Sequence, residues 1–403
     1  MKFLILGAGP AGLTLANKLK QSGTTDFLVL EKEEEAGGLC RSALVDNAPF
    51  DIGGGHFLDV RRPQVNEFLF KFMPEDEWDK YDRDSRIFIK GNLVNHPIEA
   101  NIWQMEIEEQ VGYLKSIAVA GCNIGLEMPG SFIDWIYWKL GSKVAEDYMI
   151  PYNQKMFGKE LNQLGTYWLE KLPNVNFEET LMSCLEKKAY GKQPGHTQFY
   201  YPKKYGYGEL WMRMADAIKE NIEYNRTVKE IDFKNRVITT DDKAKYQAEV
   251  IITTIPWMEF SSIAGMPDEI IKDIKRLKYI SIQTEYFADN LDTPCHWIYF
   301  PDPKLSYHRI LVRHNFCRNS KGYWTETNSE RINKDANLGS FRYMNQYAYP
   351  LNTIHKPEIM KKLLSWCETR GVIGLGRWGE HQHYNSDVTV DLAMKLAERF
   401  VCR

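Results

Sequence analysis

Lys2-Phe3-Leu4-Ile5-Leu6-Gly7-Ala8-Gly9-Pro10-Ala11-Gly12 is the stretch that decides the fold. Lys2–Leu6 reads as a short apolar strand and Leu13–Gln21 carries a helical pattern, so the glycines lie in a strand-to-helix turn. In that setting GxGxxG has a physical meaning. Gly7 permits the tight turn, Gly9 lets the backbone approach a pyrophosphate, and Gly12 allows helix and strand to pack closely. The free N–H groups at the start of the helix then face the phosphates. A second strand, Asp26–Leu30, ends at Glu31, 19 residues after Gly12. A carboxylate there accepts hydrogen bonds from ribose hydroxyls and argues against a 2′-phosphate. Gly7, Gly9, Pro10, Ala11, Gly12, Glu31 and Lys32 are therefore candidate dinucleotide contacts.

The chain has 403 residues, enough for two or three packed domains. Its apolar share of 43% and charged share of 26% are those of a globular protein. A net charge of −3 gives no overall basic field, so no nucleic-acid partner is expected and an anionic substrate needs a local cluster of cations. The seven cysteines (40, 122, 184, 295, 317, 367 and 402) are scattered without a CxxC pair. Neither a disulfide framework nor a metal site is expected, which suits a reducing cytoplasm. No run is long or apolar enough for a membrane span, and a cytoplasmic location is expected. Oligomeric state is not legible.

After the ribose acid comes Gly37-Gly38-Leu39-Cys40-Arg41-Ser42, and then Asp51-Ile52-Gly53-Gly54-Gly55-His56. Here the sequence resembles the flavoprotein group of amine oxidases, protoporphyrinogen oxidase and UDP-galactopyranose mutase, in which a GG segment of this kind wraps FAD. The resemblance moves the cofactor from NAD to FAD and adds Gly38, Leu39, Arg41, Ser42, Gly54, Gly55 and His56 to its contacts. Ile98–Lys171 reads mostly helical, with helices at Asn101–Ala118 and Phe132–Lys139. Strands are expected at Gln198–Tyr201, Lys245–Thr254, Ser281–Ala288, His296–Phe300 and Arg309–Val312. Arg226–Ile231 and Arg236–Thr239 resemble a hairpin on the adenine side of such flavoproteins, which places Val228 at the cofactor. A late strand, Gly371–Leu375, then Gly376-Arg377-Trp378-Gly379 and a helix at Val388–Phe400 resemble the segment that closes around FAD, with Gly376, Arg377 and Asp387 as contacts. The expected class is α/β: a Rossmann-type FAD/NAD(P)-binding domain with an inserted helical domain and an antiparallel or mixed β-sheet substrate domain. Residues 1–97, 181–275 and 356–403 would form the FAD domain, 98–180 the mainly helical substrate domain, and 276–355 the β-sheet substrate domain. Gly206 and Gly208 make Tyr201–Gly208 a hinge-rich loop.

The middle of the chain resembles UDP-galactopyranose mutase, its eukaryotic-type branch above all. The match is carried by Phe50–His56 (FD-x-GGH), Asn95–Ile102 (PYPFQxNI), Phe132–Ile136 (F-x-x-W), Tyr148–Asn153 (F-x-x-PYN), His296–Pro301 (CW-x-YFP), Tyr349-Pro350 (GYP) and Gly376–Gly379 (GRFG). The resemblance implies a redox-neutral isomerisation on reduced FAD, kept reduced by an external reductant. Flavin N5 attacks the anomeric carbon of a nucleotide-diphospho sugar as the diphosphate leaves, and reclosure through another hydroxyl exchanges pyranose for furanose. It implies His56, Arg309 and Lys171 as catalytic groups, and Tyr152, Asn153, His196, Trp297, Tyr299, Arg309, Tyr349 and His383 as substrate contacts. Departures cluster in the substrate pocket. Lys171 replaces an arginine of the family, losing its planar fork. His196 replaces an Asn, His383 stands near a tyrosine position, and Asp387 replaces an Asn. These changes leave the sugar open. A true FAD oxidoreductase of the amine oxidase or protoporphyrinogen oxidase type is the main rival, and a non-catalytic flavin-binding protein a third reading.

Overall fold

Alternate residues of Phe3–Leu6 (β1) are buried in two different cores. Phe3 and Ile5 pack with the helix Pro10–Gln21 (α1), and Leu4 and Leu6 pack on the opposite face with Trp257 and Leu363. A strand apolar on both faces belongs at the centre of a parallel sheet, and β1 occupies that position. In the computed structural model, which describes residues 1–123, 125–169, 176–190, 197–333 and 339–401, the sheet runs Ile222–Glu223, Phe27–Leu30 (β2), β1, Val250–Thr253, Val372–Gly374. All four pairings are parallel. The helix Ser386–Val401 packs on α1, and Lys356–Glu368 covers the other face next to Val372–Gly374. This is the mixed α/β, Rossmann-type architecture expected from the glycine turn.

A seven-stranded mixed sheet forms the second layer. Its order is Phe341–Pro350, Tyr279–Phe287, Tyr323–Asn328, Arg309–Leu311, Trp297–Tyr299, Ser85–Ile89, Asn92–Asn95. Tyr279–Phe287 alternates half-buried and buried positions along its whole length, the period-two pattern of a sheet with one face on the core. Ser85–Ile87 pairs in parallel with Trp297–Tyr299, so part of the expected FAD segment 1–97 joins the substrate-side sheet instead. That pairing links positions more than 200 residues apart and leaves no local signal. A smaller four-stranded sheet carries the hairpin Val228–Asp232/Val237–Thr240.

The helical part comprises Ile107–Gly121, Phe132–Val144, Ile150–Phe157 and Phe177–Glu186. The single helix expected at Asn101–Ala118 is not formed. Two short 3₁₀ turns, Ile98–Ala100 and Ile102–Gln104, precede the helix, and Met105 is extended between them and it. Asn101 donates to the Pro97 carbonyl and Gln110 to those of Trp103 and Met105, so side chains satisfy backbone groups a continuous helix would have used. Lys245–Thr254 is likewise two strands, Lys245–Gln247 and Val250–Thr253. Among the described residues no helix is long and apolar enough to cross a membrane.

Candidate active site

The glycine turn is fixed by contact, not only by conformation. A Cβ on Gly12 would lie 2.0 Å from the Gly7 carbonyl oxygen, and one on Gly7, at φ +102°, would lie 2.5 Å from the Thr254 hydroxyl. Gly9 and Gly38 face each other, with a Cβ on Gly38 only 3.3 Å from the Gly9 Cα. Side chains there would fill the gap between the turn and the following loop. That gap is the throat of a cleft of about 360 Å³ at the carboxyl ends of the parallel strands. Glu31 directly follows β2 with 6% exposure; its carboxylate accepts from the Ala8 N–H at 2.7 Å and the Glu33 N–H at 3.1 Å. Burial raises its pKa against the pull of those two N–H donors. A carboxylate has lone-pair capacity beyond two acceptances, which leaves room for ribose hydroxyls. A glycine throat, a helix N-terminus and an acid at the end of the second strand together fit a flavin dinucleotide.

Of the cofactor contacts expected from sequence, Gly7, Gly9, Pro10, Ala11, Glu31, Lys32, Gly38, Leu39, Arg41, His56, Val228 and Arg377 line this cleft. Six do not, for visible reasons. Gly12 packs beneath Gly7, and Gly376 abuts Ala11 and Thr389. Gly54 and Gly55 lie against Glu326 and Leu311. Ser42 turns inward, donating to Asp51 at 2.5 Å and accepting from the Gly208 N–H at 2.8 Å. Asp387 is buried in an ion pair with Arg62 at 2.7 Å. Sequence reasoning missed Ser386 and the run Tyr343–Tyr347, the latter closing the cleft from the second sheet. The hinge expected at Tyr201–Gly208 is pinned: the Tyr201 hydroxyl and Tyr207 N–H both donate to Asp51. Its glycines are contact points, since a Cβ on Gly206 would lie 2.3 Å from the Ser42 hydroxyl.

His56 donates from Nδ1 to the Gly54 carbonyl at 3.1 Å. Burial, then the Arg377 charge, lowers its pKa to about 4, so the ring is neutral with Nε2 unprotonated. Arg377 donates to the carbonyls of Tyr384 and Ala348 and lies 5.6 Å from the centre of the Tyr349 ring. Tyr349 in turn packs on His383 at 4.6 Å. Strand register sets Arg309 directly across from Tyr299. Arg309, expected as a catalytic and substrate-binding cation, has a buried partner in Glu326, whose oxygens accept from Nε at 3.0 Å and from Nη2 at 2.7 and 2.5 Å. Burial works to raise the Glu326 pKa, but Arg309 and His308 overcome it and hold the carboxyl at about 2.

A second guanidinium stands beside this pair. Arg83 lies 4.8 Å from the Trp297 ring centre and donates to the Ser85 hydroxyl at 2.9 Å and the Tyr299 hydroxyl at 3.3 Å. Trp297 Nε1 also donates to Tyr299, at 2.9 Å. Among the described residues no carboxylate pairs with Arg83 or Arg377, and burial lowers the pKa of both. Beyond Tyr299 lies a separate cavity of about 160 Å³ that includes Tyr152 and Asn153, the latter donating to the Met149 carbonyl at 2.7 Å. The structure therefore brings His56, Arg309, Trp297, Tyr299, Tyr349, His383 and Tyr152 into one region and adds Arg83 and Glu326. Lys171 and His196 lie outside the described residues.

The family described as flavin containing amine oxidoreductase matches residues 10–287. Among solved structures, reduced UDP-galactopyranose mutase superposes with a TM-score of 0.89 at 20% identity, covering 100% of this chain and 94% of the other. A candidate protoporphyrinogen oxidase from Exiguobacterium sp. 255-15 gives 0.71 at 12% identity, covering 100% and 98%. A redesigned putrescine oxidase gives 0.63 at 13% identity, covering 100% and 99%. Among curated proteins, an uncharacterized protein of the nifH2 3′ region of Methanothermococcus thermolithotrophicus is 47% identical over 53 residues, 13% of this chain. The match spans half the length of that relative.

Proposed function

Since the chain belongs to the family of flavin-containing amine oxidoreductases and its cofactor is FAD, we propose that it is a nucleotide-sugar mutase that interconverts pyranose and furanose forms. The carrying observation is that, among the described residues, the guanidiniums of Arg83 and Arg377 have no carboxylate partner. A guanidinium withdrawn from water is costly unless an anion accompanies it. A diphosphate supplies that anion, whereas an amine substrate would add a third positive charge. The fold likeness to UDP-galactopyranose mutase supports the same reading.

Bound FAD, in its reduced state, supplies the nucleophile for the anomeric carbon. The residues of this chain bind and orient. Arg83 and Arg377 hold the diphosphate and stabilise the charge that grows as it departs, an interaction strengthened in a site closed by Trp297 and Tyr349. Glu326 fixes the Arg309 fork and also accepts the Gly55 N–H at 3.2 Å, so one carboxylate ties the arginine to the loop that carries His56. His56, kept neutral, puts no positive charge beside the ring it lines. The sugar lies between the cleft and Tyr299.

The test is anaerobic incubation of the dithionite-reduced, FAD-loaded protein with nucleoside-diphospho-hexofuranoses, UDP-galactofuranose among them, followed by chromatography for the pyranose. Reduction-dependent conversion is expected. Arg83→Gln should lose about 1.5–3 kcal/mol of diphosphate binding, the worth of a charge-assisted hydrogen bond. Steady oxygen or dye reduction with an amine, and no nucleotide binding, would instead establish an oxidase.

A further inference from the structure

The 160 Å³ cavity beyond Tyr299 is walled by Trp135, Tyr148, Tyr152 and Tyr299, and it also holds two polar groups, Glu99 and His96, that are short of partners among the described residues. Glu99 is 4% exposed, and among the described residues its carboxyl has no side-chain hydrogen-bond partner, only its own backbone N–H. His96 Nδ1, which also lines the cavity, has no hydrogen-bond partner among the described residues. Buried polar atoms are nearly always satisfied, and two on one aromatic-walled cavity mark a place where a ligand supplies the partners.

The order of groups says what kind of ligand. From the flavin cleft the path runs through Arg377 and Tyr349 to Arg309 and Tyr299, whose hydroxyl takes Arg83, and Tyr299 is itself a wall of the cavity. A sugar at the cleft and a diphosphate at the arginines set the nucleobase between Tyr148, Tyr152 and Trp135. This step rests on the nucleotide-sugar reading above.

An ionised carboxyl only accepts hydrogen bonds. The uracil edge has one N–H between two carbonyls, so one carboxylate oxygen would meet a carbonyl lone pair. Cytosine and adenine set an acceptor beside their amino group and so require a protonated acid. Guanine offers two adjacent donors, N1–H and N2–H, to both carboxylate oxygens, the bidentate charge-assisted arrangement. Its neighbouring carbonyl then meets the His96 ring, which burial and Arg83 keep neutral and able to donate one N–H. Burial lifts Glu99 to about 7, so both forms are populated near neutrality; guanine takes the ionised form and binds more tightly as pH rises through 7, whereas cytosine or adenine would bind more tightly as it falls.

We propose that Glu99 and His96 make this cavity a nucleobase pocket selective for guanine, so that the substrate is a guanosine-diphospho sugar. The experiment titrates GDP, UDP and CDP into the FAD-loaded protein, oxidised and reduced, following flavin fluorescence. GDP is expected to bind at least about tenfold more tightly than UDP, a difference of about 1.4 kcal/mol. Glu99→Gln, which offers one donor and one acceptor, should erase that preference while FAD content and melting temperature hold. If that variant does not fold, the comparison of nucleotides on the unaltered protein decides alone. UDP or CDP binding as tightly as GDP overturns the base assignment and leaves the mutase reading standing. No nucleoside diphosphate binding at all removes the diphosphate reading and this inference with it.

Discussion

Replacing Glu326 by Gln removes the anion that balances Arg309 and leaves a buried guanidinium facing an amide. Glu326 is 1% exposed and receives three short contacts from Arg309 and one from the Gly55 N–H. Breaking one side of such a pair costs about 3–5 kcal/mol, because the remaining charge stays buried without compensation. Gln still accepts one of the bonds, which puts the expected loss near the lower end. For a chain of this length that is a fall of about 4 °C in melting temperature. Arg309→Met alone leaves Glu326 beside His308 and should cost a similar amount. The double variant carries no orphaned charge, so its loss should fall short of the sum of the singles by at least about 1 kcal/mol. Melting of all four proteins, loaded with FAD and read by intrinsic fluorescence, measures the cycle. The pair also fixes a pH window. Because the carboxyl is depressed from 4.5 to about 2, its contribution is complete above about 4.5 and is lost as pH falls towards 2. The stability gap between the parent and Glu326→Gln should therefore narrow only below pH 4.5. Single-variant losses that simply add, or a Glu326→Gln protein as stable as its parent, would refute the buried pair.

Gly12→Ala forces a methyl to within 2.0 Å of the Gly7 carbonyl, so α1 must move away from β1; purified protein should lose its visible flavin absorbance, and full loading would contradict the close packing. His381 is fully buried, donates from Nε2 to the Lys278 carbonyl at 3.0 Å, and is pushed down to about 3 by burial and then by Lys356. The unfolded chain therefore takes up this proton first, and stability falls as pH drops from 6.5 towards 3, by about 1.4 kcal/mol per unit. His381→Gln removes that slope, and melting curves at pH 7 and pH 5 should show the parent losing ground to the variant; parallel curves at both values would exclude the effect.

The dinucleotide half was legible because its signals are local. One strand, three glycines, a helix and an acid lie within 31 residues, and each acts on its neighbours. The substrate side depends on which strands meet. Arg83 gains its meaning only when Ser85–Ile87 pairs with Trp297–Tyr299, and Glu326 only because Arg309 lies opposite it in the sheet. No periodicity announces either pairing. Ser42 and Asp387 illustrate the converse. Both flank motif positions, yet Asp51 and Arg62 offered closer partners and drew them inward. At Gly206 and Gly208 the sequence signal was real but its cause was crowding against Ser42, not freedom of movement.

The parallel sheet takes its five strands from residues 3–6, 27–30, 222–223, 250–253 and 372–374. During synthesis β1 and β2 leave the ribosome first, and at roughly 5–20 residues per second the last strand follows them by about 20–70 s. For the last roughly 6–24 s of that interval, once Val250–Thr253 has been made, its outer edge has no neighbour, and the helix that covers α1 does not yet exist. Arg377, which lines the cleft, is also made late, three residues beyond the end of the last strand, Val372–Gly374. Flavin capture is thereby tied to synthesis of the late segment that carries this strand and Arg377.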